Sequence, residues 1–313
     1  MPRRYPLRLY AAFLLTLLCC LGSAPFALSQ SVSGNAGEGL PRLEFEKYTL
    51  PNGLQVILHI DRKLPMVHVN CWYHVGSKNE RAGRTGFAHL FEHMMFEGSK
   101  NANRKYFGSI EKAGANLFEG GVNGTTNEDR TNYFESVPSG SLEYVLWLES
   151  DRLATLTDVL TKTKLDNERD IVKNERRQGL ENQPYGRAFN LISENTFPAG
   201  HPYAHSVIGS HEDLTAASVD DVKEFFQTYY TPNNLSLAVT GDFDVAEAKR
   251  LIKKYFGPIP AGPALDRPKY WIPALDGEKI IEVKDHVPQE RTYFAWPVRP
   301  TLALATPSST SHR

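Results

Sequence analysis

Residues 87–96 read Phe-Ala-His-Leu-Phe-Glu-His-Met-Met-Phe, an apolar run interrupted only by His89, Glu92 and His93. Apolar side chains at nearly every position suit a buried helix, and residues four apart on a helix stand one turn apart on one face. His89 and His93 therefore offer two imidazoles to a single metal ion. Glu92 lies three residues after His89, where its carboxylate can reach a water molecule held at the same place. The pattern arises by accident in about 2% of chains of this length and composition. The alternative, chance polar residues on a core helix, would bury two imidazoles and a carboxylate without partners at a cost of several kcal/mol. A metal ion removes that conflict.

A zinc site that keeps one position open for water needs a third protein ligand. A helical pattern from Leu165 to Leu180, opened by Thr163 with Asp166 three residues on, supplies candidates. Its apolar stripe runs through Leu165, Ile171 and Val172, and Glu168 and Glu175 occupy positions where the stripe calls for further hydrophobic residues. Seven residues is about two turns, so both carboxylates share a face. Glutamate on a buried stripe is rare without a charge partner. A solvated acidic face, with Asp170 and Glu181 nearby, is the competing explanation.

The 313 residues are about two domains' worth, with 41% hydrophobic and 23% charged residues, which excludes a disordered or multi-span membrane chain. A net charge of −1 leaves no electrostatic footprint for nucleic acid. Arg3, Arg4 and Arg8 precede an apolar run from Leu9 to Leu21, and Ala27-Leu28-Ser29 offers a small-x-small cleavage step, so residues 1–29 read as a secretory signal peptide. An uncleaved anchor is the alternative, although the run is short for a bilayer span. Removing this segment leaves 32 basic against 36 acidic residues and Cys71 as the sole cysteine, so the exported chain has no internal disulfide and no membrane span. Periplasmic or extracellular localisation follows.

After a Ser/Gly/Asn-rich spacer (residues 30–44), Pro51-Asn52-Gly53 between two β-rich runs signals a hairpin. Val67, Val69, Cys71, Tyr73 and Val75 alternate with polar residues in the period of a strand. Asn123-Gly124 is a second turn candidate. Helices are expected over Leu142–Leu153, after Ser218 with Asp221, and from Asp244 with Glu247 to Gly257, with a strand at Leu235–Thr240. Mixed elements in this order indicate an α/β or α+β layer architecture.

His89-x-x-Glu92-His93, followed 82 residues later by Glu175 within Glu168-Arg169-Asp170-Ile171-Val172-Lys173-Asn174-Glu175, resembles the inverted zinc motif of the pitrilysin/insulinase metallopeptidases. The likeness runs from about residue 45 to 297 through Leu50-Pro51-Asn52-Gly53-Leu54, Val75-Gly76-Ser77, Leu146 to Arg152, Pro184-Tyr185-Gly186, His201-Pro202-Tyr203, Pro232-Asn233-Asn234 and Lys254-Tyr255-Phe256-Gly257. It is strongest to the bacterial exported branch and to the mitochondrial processing peptidases. The resemblance implies an α+β layered domain of mostly antiparallel sheet with helices packed on it. It implies one zinc ion held by His89, His93 and Glu175, Glu92 as general base, Glu168 as a supporting acid, and Asn123 on an edge strand that binds the substrate backbone. Gly124 stands where the family usually has alanine. His201, His205 and His211 fall outside the family's ligand set and are expected to be structural.

The resemblance also implies a second domain of similar fold that closes on a peptide or unfolded polypeptide substrate. Residues 45–262 fit the zinc-bearing domain, 263–297 a linker and the first strands of a second, at Ile280–Val283 and Thr292–Trp296, and 298–313 a Pro/Ser/Thr-rich tail without family likeness. A frameshifted or truncated gene is expected from that tail. The function indicated is a zinc-dependent metalloendopeptidase, alone or with a partner chain that supplies the missing domain. The alternatives are a non-catalytic binding or assembly subunit, and an inactive fragment that retains the metal site.

Overall fold

The computed structural model describes residues 43–102, 106–118, 120–267, 271–275 and 277–298. The signal peptide, nearly all of the spacer, and the tail from 299 lie outside the described residues. No helix among the described residues is long and apolar enough to cross a membrane.

Six strands form one sheet: β1 (Glu46–Thr49), β2 (Gln55–Ile60), β3 (Met66–Tyr73), β4 (Val122–Thr126), β5 (Thr131–Pro138) and β6 (Leu235–Gly241), in the order β1-β2-β6-β3-β5-β4. Every pairing is antiparallel except that of β2 with β6. The expected hairpin joins β1 to β2. Gly53 takes φ of +88°, which its turn requires, and Asn52 Nδ2 donates to the carbonyls of Phe256 and Ile259 at 2.8 Å, tying the tip to the last helix. On β3, Val67, Val69, Cys71 and Tyr73 are buried while His68, Asn70 and Trp72 face the other way, as the alternation predicts.

Among the described residues eight α-helices accompany the sheet: α1 (Phe87–Met94), α2 (Tyr106–Lys112), α3 (Leu142–Thr155), α4 (Lys162–Arg176), α5 (Ala188–Thr196), α6 (His211–Ala216), α7 (Val219–Tyr229) and α8 (Val245–Phe256). The core lies where buried side chains of the sheet meet α1, α3, α7 and α8. Ser218 and Asp221 form the expected capping box on α7, and Asp244 caps α8. Two local expectations fail. α4 is capped by Thr161, whose side chain accepts from Lys164 N, two residues before the predicted Thr163. It ends as an α-helix at Arg176 and continues as one π-helical turn, Arg177–Glu181. Asn123-Gly124 makes no turn, because both residues are paired within β4, and the chain reverses instead at Asn127–Arg130.

The predicted strands at Ile280–Val283 and Thr292–Trp296 are also absent, since the described residues beyond 262 form no strand or helix. They lie extended along residues 185–203. Tyr185 donates to the Gln289 carbonyl at 2.6 Å, Arg291 stacks over the Tyr185 ring, and Trp271 packs edge-on against His201. A strand needs a neighbour to pair its backbone, and no described strand pairs with either run.

A charged cluster lies in the core. Arg152 donates to Glu149 at 2.6 and 2.9 Å, and the Tyr106 hydroxyl lies 2.7 Å from Glu149 and 3.1 Å from Glu135. The guanidinium also stacks on the Tyr106 and Tyr133 rings. Arg152, Glu149 and Glu135 are essentially excluded from solvent. Two buried carboxylates share one guanidinium, so burial and then the Glu149 charge push the Glu135 carboxyl well above its ordinary 4.5. A raised folded-state value contributes stability that is fully present below pH 4.5 and lost as the pH rises toward the folded value. Glu135→Gln removes that loss. Its stability relative to the native chain is expected to climb between pH 5 and 9, by at most about 1.4 kcal/mol per pH unit in urea unfolding. A difference that stays constant with pH would show that Glu135 is ionised in the fold.

Candidate metal centre

Helix α1 begins where Gly86, at φ of +86°, turns the chain, and it buries Phe87, Ala88, Leu90, Phe91 and Met94. Phe91 packs against Phe225 and Phe226 of α7 and against Tyr230, with ring centroids 5.1–6.0 Å apart. That contact fixes the rotation of α1 about its axis. His89 and His93 are left on the face turned toward α4, their rings 4.9 Å apart and edge to face.

Helix α4 meets them. Leu165 and Val172 anchor it in the core, as the stripe predicts, but Ile171 is 46% exposed and lies off the stripe. Lys164 Nζ donates to the Glu97 carbonyl just past α1 and holds the start of α4 against the end of α1. Glu168 is buried and faces His93 Nδ1 at 3.4 Å. Glu175, two turns on, places its carboxylate oxygens 3.3 Å from His93 Nε2 and 3.8 Å from His89 Nε2. The acidic face is thus not merely solvated. One nitrogen of each imidazole and one carboxylate oxygen lie within 4.8 Å of one another.

The electrostatics suit a cation. Burial and the neighbouring His93 push His89 down to about 4, so its ring is neutral and carries a lone pair. Burial opposes charge on His93, yet Glu168 and Glu175 raise it to about 9, which shows how strongly two carboxylates call for a positive partner. Glu175 is lowered by its hydrogen bond to His93. Glu175 Oε1 approaches His89 Nε2 to 3.8 Å and Oε2 approaches His93 Nε2 to 3.3 Å, so both imidazoles face one carboxylate. The chemistry of the donor set fits zinc: two imidazoles and a carboxylate, with Glu168 placed to accept from His93 Nδ1–H and leave Nε2 free.

Glu92, next to His93 and within electrostatic reach of Glu175, also meets the edge strand β4. The Thr126 hydroxyl donates to its Oε2 at 2.5 Å. Burial pushes the Glu92 carboxyl up, and that hydrogen bond opposes the shift. Gly124 leaves the room this carboxylate needs, because a Cβ there would stand 2.9 Å from Glu92 Cγ and 3.1 Å from the Phe96 ring. Asn123 is exposed on the same outermost strand. Thr126 is the residue that sequence reasoning missed. It is one threonine in a Gly/Asn/Thr-rich stretch, and only the packing of β4 on α1 sets it apart. His201, His205 and His211 do not converge: His201 stacks on Phe197, His205 faces Glu80, and His211 pairs with Glu181.

Two family models match the chain, "Insulinase (Peptidase family M16)" over residues 55–210 and "Peptidase M16 inactive domain" over 216–310. The zinc protease PqqE of Helicobacter pylori is 33% identical over 235 residues, covering 75% of this chain and 51% of that protein. The mitochondrial-processing peptidase subunit beta of Blastocladiella emersonii is 27% identical over 279 residues, covering 88% of this chain and 57% of that protein. Among solved structures, the first half of the periplasmic protease PqqL from Escherichia coli superposes with a TM-score of 0.65 at 27% identity, covering 74% of this chain and 49% of that one. The chain belongs to the insulinase family of zinc peptidases. It spans about half the length of the relatives it matches.

Proposed function

We propose that this chain is the zinc-bearing half of a metalloendopeptidase that hydrolyses peptides or unfolded polypeptides. The observation that carries this is the convergence of His89, His93 and Glu175, from two helices, beside the buried carboxylate of Glu92. These three residues would hold one zinc ion, with Glu168 orienting His93. Bound zinc supplies Lewis-acid polarisation and lowers the pKa of water.

The chain's own residues do the rest. Glu92, raised by burial, is a carboxylate suited to take a proton from the attacking water as its oxygen joins the scissile carbonyl carbon, and then to pass that proton to the departing amine as the C–N bond breaks. Thr126 holds one oxygen of that carboxylate and leaves the other for the proton. The outer edge of β4, with Asn123, offers backbone groups to which an extended peptide can add as a further strand.

Residues 45–262 act as the zinc domain in this proposal, and a second half of similar fold closes over the peptide. Support comes from relatives about twice as long and from the similar Escherichia coli structure, which is the first half of a periplasmic protease. The basic-then-apolar leader and that periplasmic relative together support export.

Metal analysis and peptide cleavage test this directly, using the chain alone and with a second-half chain. Native protein is expected to carry one zinc per chain. His93→Ala and Glu175→Ala lose zinc and activity together, whereas Glu168→Gln weakens zinc by about 10–100-fold. Glu92→Gln keeps zinc and loses turnover by at least about 100-fold; wild-type cleavage by this variant would remove Glu92 from the mechanism. Thr126→Val is expected to lower kcat with zinc content unchanged, and Thr126→Ser to restore it. A chain that takes up no zinc would instead be a binding or assembly subunit.

A further inference from the structure

The N-terminus of α1 is capped from a distance. Gly86 occupies the N-cap position and has no side chain to offer, leaving the first N–H groups of the helix without intrahelical partners. Glu80 supplies the acceptors from six residues upstream, taking Gly86 N at 3.0 Å on one oxygen and Ala88 N at 2.7 Å on the other. Its side chain has no solvent exposure, and His205 Nδ1 stands 3.6 Å away. Ala88 immediately precedes His89.

The same turn is gripped from the other side. The backbone N–H and hydroxyl of Thr85 both donate to Asp213, at 2.9 and 2.6 Å, and Ser210 N donates to the Thr85 hydroxyl. Gly86 and Gly209 touch backbone to backbone, so that a Cβ on Gly86 would stand 2.6 Å from the Ile208 carbonyl, and one on Gly209 would overlap Thr85 and Gly86. Both have positive φ. Glycine is required twice at one crossing.

Gly209 is also where α4 is tied down. Arg176, the residue after Glu175, donates to the Gly209 carbonyl at 2.8 Å. A short path of hydrogen bonds and close backbone contacts therefore runs from the end of α4, through Gly209 and Gly86, to the start of α1. It links the third ligand to the first. Leu165 and Val172 bury the earlier part of α4, but its ligand-bearing end is half-exposed and is held by this tie and by Lys173, which donates to the Thr215 hydroxyl.

We infer that Glu80 and Arg176 are positioning residues of the zinc site: Glu80 seats the first turn of α1, and Arg176 ties the end of α4 to the same crossing, so that Glu175 is held at a set distance from His89 and His93. This rests on the zinc assignment proposed above. Neither residue touches the metal position. They act through the backbone that carries the ligands, where a displacement of about 1 Å matters because zinc–ligand bonds tolerate only a few tenths of an ångström.

The test needs no substrate. Zinc affinity of the purified chain is measured by competition with a chromophoric chelator, and ligand geometry by the visible spectrum of the cobalt-substituted protein, with circular dichroism confirming the fold of each variant. Arg176→Ala and Glu80→Ala are expected to weaken zinc by about 10–100-fold and to alter the cobalt spectrum. Arg176→Lys, which can still donate to the Gly209 carbonyl, recovers most of the affinity. Should Glu80→Ala fail to fold, Arg176→Ala, at a partly exposed position, decides the matter alone. Affinity within threefold of the native chain with an unchanged cobalt spectrum overturns the inference and leaves the ligand assignment standing. A native chain that binds no zinc, or a His93→Ala variant that binds as tightly as the native one, overturns both.

Discussion

Burying His89, Glu92 and His93 on an otherwise apolar helix is the constraint from which the rest of this molecule follows. Phe91 and its neighbours press α1 against α7 and the sheet, and the helix cannot turn its polar residues to water without giving up that contact. Their polar atoms are therefore matched inside the protein, apart from His89 Nδ1, which is buried with no hydrogen-bond partner among the described residues. The partners come from two different elements. α4 brings Glu168 and Glu175 to the imidazoles, and β4 brings the Thr126 hydroxyl to Glu92. The candidate catalytic arrangement and the solution to a burial problem are the same set of contacts, so metal binding and folding are expected to be energetically coupled.

A second buried polar cluster supports the first from below. Arg152 holds Glu149 and stacks on Tyr106 and Tyr133, while Phe96, at the end of the motif stretch, packs edge-on against both tyrosines and face-to-face with Phe107. Phe96 thus joins the end of the motif stretch to the rings that flank the charged core cluster. Phe96 and Glu92 both close on Gly124, where a Cβ would stand 3.1 Å from the ring and 2.9 Å from Glu92 Cγ.

Much of this could be read from the residues alone. The hairpin at Pro51-Asn52-Gly53, the alternation along β3, the caps at Ser218 and Asp244, and the i, i+4 histidines each depend on neighbours in sequence, and each is found where the local pattern puts it. Local signals also misled. Asn123-Gly124 has turn chemistry, yet it is a strand because β5 pairs with it. Ile171 carries an apolar side chain but falls on the open side of α4, and the two short β-rich runs beyond residue 279 find no strand to pair with.

By itself the sequence determined the helix that carries His89, Glu92 and His93, the candidate acids Glu168 and Glu175, and a family likeness that named their roles. Tertiary structure decided what no spacing could: that Glu168 meets one nitrogen of His93 and Glu175 the other, that Thr126 reaches Glu92, and that Glu80, Gly86, Gly209 and Arg176 meet at one crossing. The physical reason is range. Helix periodicity, capping and turn chemistry act over a few residues, whereas most of these contacts join groups far apart in the chain, and their distances depend on how whole helices pack.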